Sequence, residues 1–168
     1  PFLRNLFLFK KDHIGRMVFK PCLHDYFEEG GSTKGEYFWQ DLLVARWIYE
    51  AQPVRHVDVG SRVDGFVAHV ASYREIEVID VRPITTKIPG VAFKQADLMN
   101  PDIFPSSTSE NYCDSLSCLH AIEHFGLGRY GDPVDTRGHE RGFANMAKLL
   151  KPGGTFYVST PIGQERVE

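Results

Sequence analysis

From residue 54 onward the chain alternates short β-rich runs with helical stripes, and this alternation limits the fold more than any other feature. Residues 54–59 form a compact strand stopped by Gly60, and residues 76–81 a second one ended by Arg82 and Pro83. Residues 91–94, 112–119 and 155–160 supply a third, fourth and fifth. Between the first two strands, Phe66, His69, Val70 and Tyr73 recur at helical spacing, with His69 expected in the core and bonded to backbone. Before the fifth, Phe143, Met146, Ala147 and Leu150 mark another helix, halted by Lys151, Pro152, Gly153 and Gly154. Strands that alternate with helices build βαβ units, so the pattern predicts an α/β fold with an open, mostly parallel sheet.

Upstream, residues 36–50 have helical composition, with Trp39, Leu42, Leu43 and Trp47 along the side expected to pack on the sheet. Tyr37, Phe38 and Trp39 read as core aromatics rather than a lid over a ligand. Residues 10–35 show no clear period, and residues 1–35 form an N-terminal extension; residues 36–168 form a single α/β domain. A net charge of −3 argues against a nucleic-acid-binding module, which carries a basic excess. The three cysteines, Cys22, Cys113 and Cys118, include no Cys-x-x-Cys pair, which points to a reducing, cytoplasmic compartment rather than a disulfide framework. Residues 1–9 are apolar but far shorter than the ~20 residues a membrane span needs, and they lack the charge order of a signal peptide. With no initiator Met and an end just after strand five, the chain reads as a piece of a longer protein or a minimal form. An uncovered edge at strand five would favour a homo-oligomer.

The run from His56 to Gly65 carries the chemistry, because it sits where the first strand turns into the first helix. Open α/β sheets bind ligands at that carboxyl edge. Gly60 permits a close backbone approach, and Asp64 is placed to cap the following helix. Asp80 ends the second strand, roughly 20 residues past the first turn, where a carboxylate accepts both hydroxyls of a ribose.

Asp58-x-Gly60, the acid Asp80, Ala96-Asp97-Leu98, the string His120–His124 and the run Leu150–Gly154 together resemble the class I S-adenosylmethionine-dependent methyltransferases. The longer string from Cys118 to Asp132, preceded by Tyr37–Asp41, is similar to one branch, an uncharacterised methyltransferase-like family first catalogued from nematode proteins. The resemblance covers residues 54–162 and implies a Rossmann-like sheet lacking the C-terminal strands in this chain. It also implies a cofactor, S-adenosylmethionine. Asp58, Gly60 and Ser61 would surround the methionine part, with Asp64 and Gly65 completing the turn. Asp80 and Val81 would hold the ribose and flank the adenine, Asp97 would reach the adenine amino group, and Leu98 would lie against the ring. His120 would contact the cofactor from below. Arg62 stands where the family has a glycine; it either forks onto the cofactor's carboxylate or obstructs the pocket.

Other readings of the same residues stay open. Gly60 and Gly65 also suit ordinary turns, Asp80 a surface ion pair with Arg82, and Asp97 an Asx turn. His120-x-x-Glu123-His124 matches an inverted zincin signature, with Glu140, Glu165 or Glu168 as third ligand, but it directly follows a strand and meets glycines at once; no metal is expected. The turn lacks the second glycine of a dinucleotide site and the Lys-Ser/Thr of a P-loop. Two long connectors, residues 100–111 and the glycine-rich 125–138, suit functional loops. For methyl transfer, His124, Glu123 and Asp132 are the proton-accepting candidates, while Arg129, Tyr130 and Asp132 face the substrate. The expected activity is methylation of a hydroxyl or amine on a small-molecule or glycan acceptor; a catalytically silent methyltransferase-like binding domain is the rival.

Overall fold

Five short strands pair side by side, because a strand packed inside the fold leaves its backbone no other hydrogen-bond partners, and the three central ones are the most buried. The computed structural model describes residues 1–103 and 111–164. The chain divides into two units, Pro1–Lys34 and Gly35–Glu168. In the first, α1 (Phe2–Asp12) buries none of its residues. A single 3₁₀ turn, Asp25–Phe27, is its other regular element.

The second unit holds the sheet: β1 (His56–Val59), β2 (Ile76–Asp80), β3 (Val91–Gln95), β4 (Cys113–Leu119) and β5 (Leu150–Ser159). Their order is β3-β2-β1-β4-β5, every pair parallel. The chain winds outward from β1 to β3 and then jumps back to β4, so the topological switch point lies between β1 and β4. Alternate strand residues feed two cores. Val57, Val59, Ile79, Leu116 and Cys118 pack with Met146 and Leu149 of α4 (Gly138–Leu149). Ile76, Val78 and Leu119 pack instead with α2 (Glu36–Ala51) and α3 (Ala68–Ala71). A four-residue helix has no stability of its own. α3 persists because Phe66, Val67 and Val70 are fully buried beside it, each contributing about 1.5–3 kcal/mol.

Three expectations need correcting. α2 turns Asp41, Val44, Ala45 and Ile48 inward, whereas Trp39, Leu42, Leu43 and Trp47 remain 45–59% exposed. Apolar side chains lie on more than one side of the helix, and its compact face of Val44, Ala45 and Ile48 makes the close contact with α3. In α4 the inner face is Gly138, Gly142, Met146 and Leu149, with Phe143 half-exposed against the ring of Phe156. Gly142 is needed there because a Cβ would stand 2.3 Å from the Phe125 ring. Lys151–Gly154 does not separate helix from strand: β5 starts at Leu150 and absorbs those residues as an irregularity between the Cys113–Leu150 and Ser115–Thr155 pairs. An edge strand tolerates Pro152 because one row of its N–H groups has no partner strand. Most of the connector 100–111 lies outside the described residues.

Candidate active site

At the carboxyl edge beside the switch point, the cavity floor is a buried polar relay. Asp58 is fully buried, and its carboxylate accepts the Ser61 N–H (3.1 Å), the Ser61 hydroxyl (2.7 Å) and the Ser117 hydroxyl (2.5 Å). His56 meets Ser115 Oγ with Nδ1 (2.8 Å) and Ser117 Oγ with Nε2 (3.2 Å), while Ser61 Oγ accepts the Leu119 N–H. β1 and β4 are thus joined by side chains as well as backbone. Burial pushes the Asp58 carboxyl up to about 6, against the lowering by Ser117 and Ser61. Burial likewise pushes His56 down to about 3, so the ring is neutral. Asp58 lies beneath the cavity and shapes it through Ser61; it does not line the wall.

Above the relay, Gly60 turns the chain at φ +72, and a Cβ on it would come 2.9 Å from the Ala121 Cβ. The backbone then makes a wide π-type turn at Val63–Val67, kinked at Gly65. Gly65 does not line the cavity either; a Cβ there would meet the Asp41 carboxylate at 2.5 Å. Asp41, reaching in from α2, accepts the Phe66 N–H, and burial raises its pKa. The cap expected from Asp64 therefore comes from Asp41. Asp64 instead pairs with Arg62 out in solvent, at 2.6 Å. Arg62 lines the cavity with its guanidinium paired to Asp64.

A different guanidinium does sit at the notch. Asp80 is 6% exposed and faces the cavity, but Arg82 donates to its carboxylate from the backbone N–H (2.8 Å), Nε (3.0 Å) and Nη2 (2.6 Å). The same Nη2 reaches the Gly60 carbonyl at 3.1 Å. The ion-pair reading of Asp80 thus holds, though the pair lines the cavity. Asp97 accepts the Met99 N–H with Oδ1 (2.8 Å), an Asx turn, and Leu98 is buried beside it.

Past β4, His120 sits in left-handed backbone at φ +48, a strain that persists only where surroundings enforce it. Its ring lies 4.6 Å from that of Tyr37 and its Nδ1 is 3.5 Å from Glu123 Oε1. His120 Nδ1 and Glu123 Oε2 are, among the described residues, the buried side-chain polar atoms without a hydrogen bond. His124 packs edge-on against Tyr130. Burial drives its pKa below the usual value, aided by Arg129 and Arg82 and opposed by Glu123. Asp132 differs. Burial raises its pKa, but N–H groups of Tyr130, Gly128 and Gly126 bind the carboxylate at 3.1–3.2 Å and hold it low overall. By accepting three N–H groups of its own loop, Asp132 organises that loop.

All of these walls enclose one cavity of about 660 Å³, within the roughly 300–1,000 Å³ of small-molecule sites. Of the predicted binding residues, Gly60, Ser61, Arg62, Asp64, Asp80 and Val81 line it, as do Asp97, Leu98 and His120. So do Glu123, His124 and Asp132. Tyr37, Asp41 and Arg82 line it as well, without having been singled out as ligand contacts. Tyr37 and Asp41 stood in the quoted Tyr37–Asp41 string; the ring of Tyr37 is at the cavity, not in a core. The zincin motif fails on geometry: residues 122–124 form one 3₁₀ turn, not a helix face, and no three potential ligands gather among the described residues. Glu165 and Glu168 lie outside those residues. His69 keeps its backbone partner, the Gly65 carbonyl, but is exposed.

Residues 99–168 match the family model "Caenorhabditis protein of unknown function, DUF268". The fold is similar to CalS10, an amino pentose methyltransferase from Micromonospora echinaspora involved in calicheamicin biosynthesis and solved with S-adenosylmethionine bound: 21% identity, TM-score 0.58, 93% of this chain and 62% of that one. An O-methyltransferase family protein from Burkholderia thailandensis is similar at 15% identity and TM-score 0.50, over 70% of this chain and 36% of that one. The C-terminal part of the chain thus matches the DUF268 model, and the fold of the chain is similar to that of two solved methyltransferases. The chain spans less than two thirds of either solved relative. No curated protein matches the chain. Among the described residues no helix is long and apolar enough to cross a membrane.

Proposed function

We propose that this domain binds S-adenosylmethionine and methylates a hydroxyl or amine of a small-molecule or glycan acceptor. The observation that carries the reading is the cavity at the β1–β4 switch point, with Asp80 and Asp97 on one side and Glu123 and His124 on the other. The residues present suit an adenosyl sulfonium. Gly60 leaves room only for backbone at the turn, and the unpartnered His120 Nδ1 and Glu123 Oε2 supply polar atoms that a buried ligand group would satisfy. Gly60 and Ser61 would hold the methionine part, Asp80 the ribose hydroxyls, and Asp97, through the oxygen not given to Met99, the adenine amino group. Val81 and Leu98 would flank the ring.

A bound S-adenosylmethionine supplies a methyl already activated for transfer. What the protein adds is placement and a proton acceptor. His124 fits that part, because burial keeps its imidazole neutral near pH 7 with a lone pair free to take the proton. Glu123, partnered only loosely through His120, is the second acceptor. Calorimetric titration with S-adenosylhomocysteine tests the reading, and failure to bind at millimolar ligand refutes it. With an acceptor in hand, turnover should rise with pH along a limb whose midpoint lies below the ordinary histidine value, and His124→Gln should remove that limb.

The rival, a binding domain without methyl transfer, draws on the Arg82 pair that engages Asp80. Binding without labelled product in any extract fraction would favour it.

A further inference from the structure

The mechanism above gives no part to Arg82, which lines the cavity. Arg82 bridges three separate pieces of the wall: Asp80 at the end of β2, the Gly60 carbonyl at the β1 turn, and the ring of Tyr130, whose centroid is 4.8 Å from the guanidinium carbon. Tyr130 in turn packs edge-on against His124, with ring centroids 5.7 Å apart. The guanidinium therefore stands between the ribose-binding carboxylate and the proton-accepting histidine and touches the neighbours of both. Its side chain is 40% exposed, so it has solvent to move into, while Asp80 at 6% is fixed in the wall.

We propose that Arg82 is a positioning residue that couples the two halves of the site: it occupies the carboxylate of Asp80 until a vicinal ribose diol replaces it, and its departure releases Tyr130 and resets His124. This rests on the methyltransferase reading. The chemistry is a competition for one acceptor group. A carboxylate that accepts three donors from Arg82 cannot also receive both ribose hydroxyls at full strength, so ligand binding carries the cost of breaking the pair. Apparent affinity falls by the fraction of molecules in which the pair is open. The loop from Gly126 to Asp132, wired internally through the Asp132 carboxylate, moves as one piece with Tyr130.

The test is calorimetric binding of S-adenosylhomocysteine to the wild-type chain, Arg82→Ala and Arg82→Lys. Arg82→Ala should bind about 5–30-fold more tightly, in the range of ordinary coupling between sites. Arg82→Lys, which keeps the charge but loses the fork, should fall between; it also serves if the alanine variant does not fold. The NMR signals of the His124 ring supply the second readout: ligand should shift them in the wild type, whereas in Arg82→Ala they should stand near the ligand-bound position without ligand. Equal or weaker binding by the variants, with the wild type still binding, overturns the coupling and leaves the methyltransferase reading standing. Failure of every variant to bind overturns both.

Discussion

Asp58→Asn probes the relay beneath the cavity through its pH dependence. Asp58 holds its proton to about pH 6 in the folded chain, against 3.8 for an ordinary aspartate, because burial penalises the charge. A carboxyl raised in this way stabilises the fold below pH 4 and loses that contribution as pH rises through 6. A gap of about two units at 1.36 kcal/mol each makes the loss about 3 kcal/mol. His56 runs the other way: depressed from 6.5 to about 3, it contributes fully above pH 6.5 and loses stability as pH falls. The wild-type profile therefore hides both effects. The difference between wild type and Asp58→Asn does not, since His56 is common to both and asparagine keeps the shape without the charge. Whatever asparagine costs by offering one acceptor oxygen to Ser61 and Ser117 is a constant offset. Urea unfolding at pH 4, 5, 6 and 7, followed by fluorescence of Trp39 and Trp47, both on α2, gives the comparison. The difference should move in the variant's favour by about 2.5 kcal/mol from pH 4 to 7, since the unfolded chain is already partly ionised at pH 4. A difference that stays flat, or moves toward the wild type, refutes the assignment of a buried, ionising carboxyl.

Two further substitutions bear on the walls. Gly60→Ala puts a Cβ 2.9 Å from Ala121 and forces a left-handed residue, so it should cost at least about 1–2 kcal/mol and abolish S-adenosylhomocysteine binding; unchanged melting and affinity would refute the close approach. Asp132→Ala removes the acceptor shared by Gly126, Gly128 and Tyr130, and those three amides should exchange faster while amides of β1 keep their protection; equal protection throughout would show that the loop does not depend on Asp132.

The order of strands and helices, the glycine turn after β1 and the acids closing β1 and β2 were legible because each is local: a short apolar run, a breaker, a charge at its end. Asp97 and Leu98 after β3 and the His120–His124 string after β4 were legible for the same reason, and all but Asp58 and Ile122 reach the cavity wall. Where local cues were ambiguous the reading erred. α2 carries apolar side chains on more than one side, so periodicity could not say that Val44, Ala45 and Ile48 rather than the tryptophans face inward. Lys151–Gly154 looks like a stop, yet pairing with β4 draws it into β5.

The roles of the charged groups belong to another level. The chain's own pattern determined that an open parallel sheet would gather its acidic residues at one edge. Only tertiary structure decided that Asp58 would meet Ser117 of β4, that Asp41 would arrive from α2 to cap the turn, and that Arg82, beyond its near neighbour Asp80, would reach the Gly60 carbonyl. The reason is distance. A hydrogen bond between residues dozens of positions apart exists only once the sheet has brought their strands together, and no run of neighbouring residues carries a mark of it.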